Sequence, residues 1–73
     1  MDFKKCEALL AAIDTGSFTK AAEQLHYTPS GISHMMTNLE AELGFPLLYR
    51  SKTGVMPTPS ALELMPVLRE MAD

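Results

Sequence analysis

The 73-residue chain predicts a mainly α-helical fold: three short helices packed together, a small β-hairpin, and a last helix running towards the C-terminus. Three observations predict it. Apolar residues recur at spacings of three and four in four separate stretches, the period of helices with one buried face. Ser17, Thr28-Pro29-Ser30 and Thr58-Pro59-Ser60 precede three of these stretches, and Gly16 and Gly44 follow two, the residue types that start and stop helices. Between the third and fourth stretches, residues 45–57 read as two short extended runs around a turn.

In the first helix, residues 2–14, the inner face is set by Phe3, Cys6, Leu10 and Ile13, and Thr15-Gly16 stops it. Ser17 caps a second helix, residues 18–25, with Phe18, Ala21, Ala22 and Leu25 as its apolar stripe; the alanines permit a close helix crossing. His26-Tyr27 makes a turn. Thr28 then caps a third helix, residues 29–43, with Pro29 at the first position, where a missing N–H costs nothing. Tyr27 and Ile32 occupy the hydrophobic-staple positions. Ile32, Met36, Leu39 and Leu43, with Met35 at the edge, face inward, and Ser30, Ser33, His34, Thr37 and Asn38 face outward. In the fourth helix, residues 59–73, Ala61, Leu64, Met65, Val67, Leu68, Met71 and Ala72 spread over roughly 160°, wider than the ~100° needed to face one core. One face is expected to pack inward and the other to meet a second chain. Pro66 either kinks this helix or ends it. The repeated Thr-Pro-Ser is an echo of helix starts, with no internal repeat behind it.

Bulk composition narrows the function. A domain of this size buries only about 60% of its unfolded surface, a shortage that a dimer would relieve. With 47% hydrophobic and 21% charged residues the chain should fold. A single cysteine excludes an internal disulfide, and with His26 and His34 it makes no structural zinc set, so Cys6 reads as a small buried hydrophobe. No stretch approaches a membrane span or a signal peptide, which makes the cytoplasm the expected compartment. Asp14, Ser17 and His26 are close in sequence, but no nucleophile elbow, phosphate loop or paired carboxylate accompanies them; no enzyme and no cofactor is expected. The six methionines serve as core and interface filler.

Two short amphipathic helices flanking a tight turn, the second starting on Thr28-Pro29-Ser30, form the pattern of a helix-turn-helix over residues 18–43. A helix about 10–12 Å across fits a major groove about 12 Å wide. Ser30, Ser33, Thr37 and Asn38 can hydrogen-bond base edges or backbone, and the helix start at Thr28 and Pro29 favours a phosphate. Ser17 and Thr19, at the start of the second helix, complete that set. His34 could meet a base edge when neutral or a phosphate when cationic, so binding through it should tighten on acidification. An equal pH slope in His34→Gln between pH 8 and 6 would refute that. Arg50 and Lys52 of the hairpin are assigned to phosphates or the minor groove. Glu40 and Glu42 point to different helix faces and read as solvated.

Against this reading stands a net charge of −3, which excludes a general basic surface. The acids are unevenly placed, however: residues 28–58 hold Arg50, Lys52 and His34 against only Glu40 and Glu42, leaving a roughly neutral face. The rival reading is a winged helix kept for protein association, with weak or no DNA binding.

The chain closely resembles the N-terminal DNA-binding domain of LysR-type transcriptional regulators, through nearly its whole length. GSFTKAAEQLHYTPSGISHMMTNLEAELG, then PLLYR and Thr58, stand in the order and spacing of that family's motif. The resemblance implies a winged helix-turn-helix over residues 1–58, with the wing at 45–57, and the start of a linker helix at 59–73; by position it implies base or backbone contacts for Pro29, Ser30, Ser33 and His34, and phosphate or minor-groove contacts for Arg50, Lys52 and Thr53. It further implies a sequence-specific bacterial regulator that reads double-stranded DNA as a homodimer. The dimer would form through the linker helix by Leu62, Leu64, Met65, Leu68 and Met71, with half-sites about one helical turn or a multiple apart. A small-molecule effector would act only through a larger C-terminal domain not present here. The departures from the family pattern remove positive charge: His34 stands where arginine or lysine is usual, and Thr53 and Met56 where wing cations are common. Ala61 replaces a usual glycine.

Overall fold

The computed structural model describes the backbone of residues 2–72 and the side chains of residues 2–70. In chain order it has α1 (Phe3–Thr15), α2 (Phe18–Leu25), α3 (Pro29–Leu43), β1 (Leu48–Ser51), β2 (Gly54–Pro57) and α4 (Pro59–Ala72). Every helix starts on a side-chain oxygen that takes up a backbone N–H the helix itself cannot satisfy. Asp2 accepts from Lys5 at 2.8 Å, Ser17 from Lys20 at 3.2 Å, Thr28 from Gly31 at 3.0 Å and Thr58 from Ala61 at 3.2 Å. The first three helices end on a left-handed residue: Gly16 at φ 70°, His26 at φ 63° and Gly44 at φ 82°. The tight turn between α2 and α3 thus depends on a histidine in a conformation glycine adopts more readily. Both the His26 and the Tyr27 N–H groups donate to the Ala22 carbonyl there.

Helix α1 is the centre of the fold, touching α2, α3, α4 and β2. It therefore buries more than one stripe: Ala8, Leu9, Ala11 and Ala12 join Cys6 and Leu10 in the core. Phe3, expected on the inner face, is instead 50% exposed in the first turn. Burial pushes the Cys6 thiol up from its ordinary pKa, which suits an inert core position. On α3, Ile32, Met36 and Leu39 are fully buried and Leu43 packs partly against the core, as the periodicity requires. Tyr27 stays exposed, so the staple spacing is present without burial of its outer member.

The strands pair antiparallel with Leu48 opposite Pro57, Tyr49 opposite Met56, Arg50 opposite Val55 and Ser51 opposite Gly54. Leu48 and Val55 are buried, and the hairpin lies against the turn between α1 and α2. There the Val55 N–H donates to the Gly16 carbonyl at 3.0 Å. Gly54, at φ 139°, approaches so closely that a Cβ would stand 2.2 Å from the Gly16 carbonyl oxygen. Thr58 closes the base of the hairpin, donating its N–H to the Leu47 carbonyl at 3.0 Å and its hydroxyl to the Pro46 carbonyl at 2.8 Å.

Helix α4 runs unbroken past Pro66, so the proline does not end it. Leu62 and Pro66 are both exposed, placing the carbonyl that loses its partner on the solvent side. The dimerisation set divides here. Leu68 is fully buried and Leu64 packs partly against the core, because they share with buried Ala61 the stripe that faces this chain's own α1. Leu62, at 53% exposure, points outward, and Met65 lies between. The side chains of Met71 and Ala72, and Asp73 entirely, lie outside the described residues. Arg69 pairs with Asp14 at 2.8 Å, fixing α4 to the end of α1, and Lys5 pairs with Glu42, fixing α1 to the end of α3. Among the described residues no helix is long and apolar enough to cross a membrane.

Candidate nucleic-acid interface

The outer face of α3 carries Ser30, His34, Thr37 and Asn38 exposed, with Ser33 half-buried among them. What half-covers Ser33 is Arg50. From β1 its guanidinium reaches back across the helix, Nη1 donating to Ser33 Oγ at 3.0 Å and Nη2 to Thr37 Oγ1 at 3.3 Å. The same group lies over the Phe18 ring, 5.2 Å from its centre. Wing and helix thus share one polar surface.

Glu40 is the residue the sequence reading missed. Expected to be a solvated acid, it instead accepts from the Leu47 N–H at 2.6 Å and the Leu48 N–H at 3.2 Å with Oε2, while Oε1 stands 3.6 Å from Arg50 Nη2. The amides at the start of the wing need an acceptor before the strand ladder supplies one, and a carboxylate from the end of α3 serves. One signal for it was available: Glu40 continues at helical spacing the stripe of Ser33 and Thr37. Glu42 is exposed, as its solvated reading requires, and its carboxylate also pairs with Lys5.

An open groove of about 440 Å³ lies between the start of α2 at Ser17 and Thr19, α3 at Ser33, and the wing at Arg50, Lys52 and Thr53. Six of the residues assigned from sequence thereby meet on one surface. Thr28, Pro29, Ser30, His34, Thr37 and Asn38 lie outside the groove lining, all exposed on α3 or its cap. Two of the assigned hydroxyls have structural duties: Ser17 caps α2 and Thr28 caps α3, each oxygen already accepting a backbone N–H. Thr53 bonds Ser51 at 3.1 Å within the hairpin turn. Lys52 is exposed at the tip, where a cation can reach beyond the body of the domain.

Three helices around one core, a polar third helix exposed after a tight turn, and a hairpin docked beside it define a winged helix-turn-helix. The chain belongs to the lysR family of bacterial regulatory helix-turn-helix proteins, whose model matches residues 3–62. It is 41% identical over 58 residues to the nitrogen assimilation regulatory protein nac of Escherichia coli K12, covering 80% of this chain and 19% of that protein. It is 42% identical over 62 residues to the HTH-type transcriptional activator AmpR of Rhodobacter capsulatus, covering 85% and 22%. The chain thus spans about one fifth of the length of these curated relatives. Among solved structures it is similar to the CbnR_DBD–DNA complex, with a TM-score of 0.93 at 31% identity over 97% of this chain and 82% of that one. The BenM_DBD/benA site 1 DNA complex gives a TM-score of 0.90, also at 31% identity, over 97% and 80%.

Proposed function

We propose that this chain is the DNA-reading part of a bacterial transcription regulator, inserting α3 into the major groove and laying the wing on the neighbouring backbone or minor groove. The observation that carries the reading is the close match of the whole fold, at a TM-score of 0.93, to a relative whose structure was solved on DNA. The surface supports it physically. α3 presents short polar side chains able to approach base edges, its N-terminus favours a phosphate, and Arg50 and Lys52 supply cations beside it. None of these contacts calls for a cofactor.

The chain acts as a homodimer through the outward side of α4. Among the described residues, Leu62 and Met65, with Val67 at 52% exposure, are the apolar groups left for that contact once Leu64 and Leu68 are assigned to the protein's own core. Half-sites then lie about one helical turn or a multiple apart. Effector sensing is placed in a further domain of a longer regulator, and the site of action is the cytoplasm. The test is selection from random duplexes by the purified chain at low and moderate salt. Enrichment of a two-fold symmetric site, lost in Ser33→Ala or Arg50→Ala, supports the reading. A folded chain that enriches nothing at low salt would leave α3 to a protein contact instead.

A further inference from the structure

Ser33, Thr37 and Glu40 lie along one side of α3 beneath the wing, and Arg50 touches all three. Glu40 holds the first wing amides with one oxygen and stands 3.6 Å from Arg50 with the other. Phe18 backs the guanidinium at 5.2 Å. The arginine is therefore held in place across α3 before any partner arrives.

That placement decides what the two hydroxyls can still do. A hydroxyl has one proton and two lone pairs, and a guanidinium only donates. Thr37 gives its proton to the Ser33 carbonyl at 3.1 Å and receives Arg50 on a lone pair, so it has no proton left for a base or phosphate. Ser33 also receives Arg50 on a lone pair, but among the described residues its proton has no acceptor. The two residues look interchangeable in sequence and are chemically opposite here.

We propose that Glu40 is a positioning residue for DNA reading: by holding Arg50 across α3, it leaves Ser33 as a hydrogen-bond donor towards the duplex and keeps the proton of Thr37 on the helix. The half-site must then offer Ser33 an acceptor, a base-edge acceptor or a phosphate oxygen. The proposal rests on the DNA-binding reading above.

The test uses the full chain and the duplex that selection yields. Duplexes carry one altered acceptor at a time: a 7-deazapurine for N7, 2-aminopurine for guanine O6, 4-deoxythymine for thymine O4, or a methylphosphonate for one phosphate. Kd is measured for wild type and Ser33→Ala. One alteration should weaken the wild type by about three- to tenfold and leave Ser33→Ala unmoved, the scale of a single hydrogen bond. Whether that hit is a base analogue or a methylphosphonate identifies the acceptor. The cycle is then repeated in Glu40→Gln, which keeps an oxygen for the Leu47 and Leu48 amides but not the charge facing Arg50, and in Arg50→Met. The coupling between Ser33 and its acceptor should shrink at least twofold in Glu40→Gln and at least as much in Arg50→Met, with both variants folded by circular dichroism. Mere loss of a phosphate contact lowers affinity for every duplex alike and does not move this coupling. An unchanged coupling in Glu40→Gln overturns the role of Glu40. If no altered acceptor depends on Ser33 while the selected site is still preferred, the proposal falls and the DNA reading stands. No sequence preference at low salt removes the DNA reading and the proposal with it.

Discussion

At His26 and Gly54, backbone conformation governs what the chain tolerates more than side-chain chemistry does. His26 turns the chain between α2 and α3 at φ 63°, where a Cβ crowds the carbonyl oxygen and glycine does not. His26→Gly should therefore leave stability unchanged or raise it by up to about 1 kcal/mol in urea unfolding. A lowered midpoint would mean that the imidazole makes contacts worth more than the strain it brings. Gly54 is the opposite case. In Gly54→Ala the new methyl meets a backbone carbonyl oxygen at 2.2 Å, and backbone cannot swing aside as a flexible side chain can. The expected cost is about 1–3 kcal/mol in the same experiment, with the wing displaced from Gly16; wild-type stability would show that the two turns separate freely.

Among the elements, the wing depends on contacts at both its ends. Glu40 satisfies its first amides, and Thr58, only 3% exposed, ties its last residues to α4 by capping that helix and donating to Pro46. Thr58→Val keeps the shape but leaves the Pro46 carbonyl without its donor and α4 without its cap, which should cost about 1–3 kcal/mol by thermal or urea unfolding. Helices α1 and α3 are joined by the surface pair Lys5–Glu42. The hydrogen bond to Lys5 holds the Glu42 carboxyl below its ordinary pKa of 4.5, and the hydrogen bond to Glu42 raises Lys5 above 10.5. A depressed carboxyl stabilises the fold above its unfolded pKa, and that gain disappears as pH falls through the folded value; a raised lysine stabilises it below its own unfolded pKa, until pH rises through the folded value. The pair should thus help between roughly pH 5 and 10 and fail on acidification below the carboxylate range. Melting temperature against pH should drop less steeply below pH 5 in Glu42→Gln than in wild type. Parallel curves would mean that solvent and salt screen the pair completely.

For the whole molecule, the sparse positive charge sets how DNA binding should respond to salt. Net charge is −3, and the proposed interface has only Arg50 and Lys52 as permanent cations. A dimer would bring about four such cations to the duplex, and counterion release then gives a slope of log K against log salt of about −4. Lys52→Gln should reduce that slope by about 2. A slope near zero would contradict phosphate contact by the wing, and one much steeper than −4 would place cations such as Lys4 or Lys20 on the duplex as well.

The sequence by itself determined the order and bounds of the elements. Caps and stops act within a few residues, and Asp2, Ser17, Thr28 and Thr58 each meet their N–H three positions on, whatever the rest of the chain does. It also determined the polar face of α3, since helical spacing separates Ser30, His34, Thr37 and Asn38 from Ile32, Met36 and Leu39 without reference to any neighbour. Only the tertiary structure decided which apolar residues were free. Phe3 fell outside a core reached by Ala8 and Ala12, and Leu68 was claimed by the chain's own α1, because a helix touched on several sides buries residues beyond a single stripe. It decided the surroundings of Arg50 as well. Glu40 stands ten residues from it along the chain, Ser33 seventeen, and Phe18 farther still; a periodicity read within one helix cannot say what a strand folded back over that helix will touch.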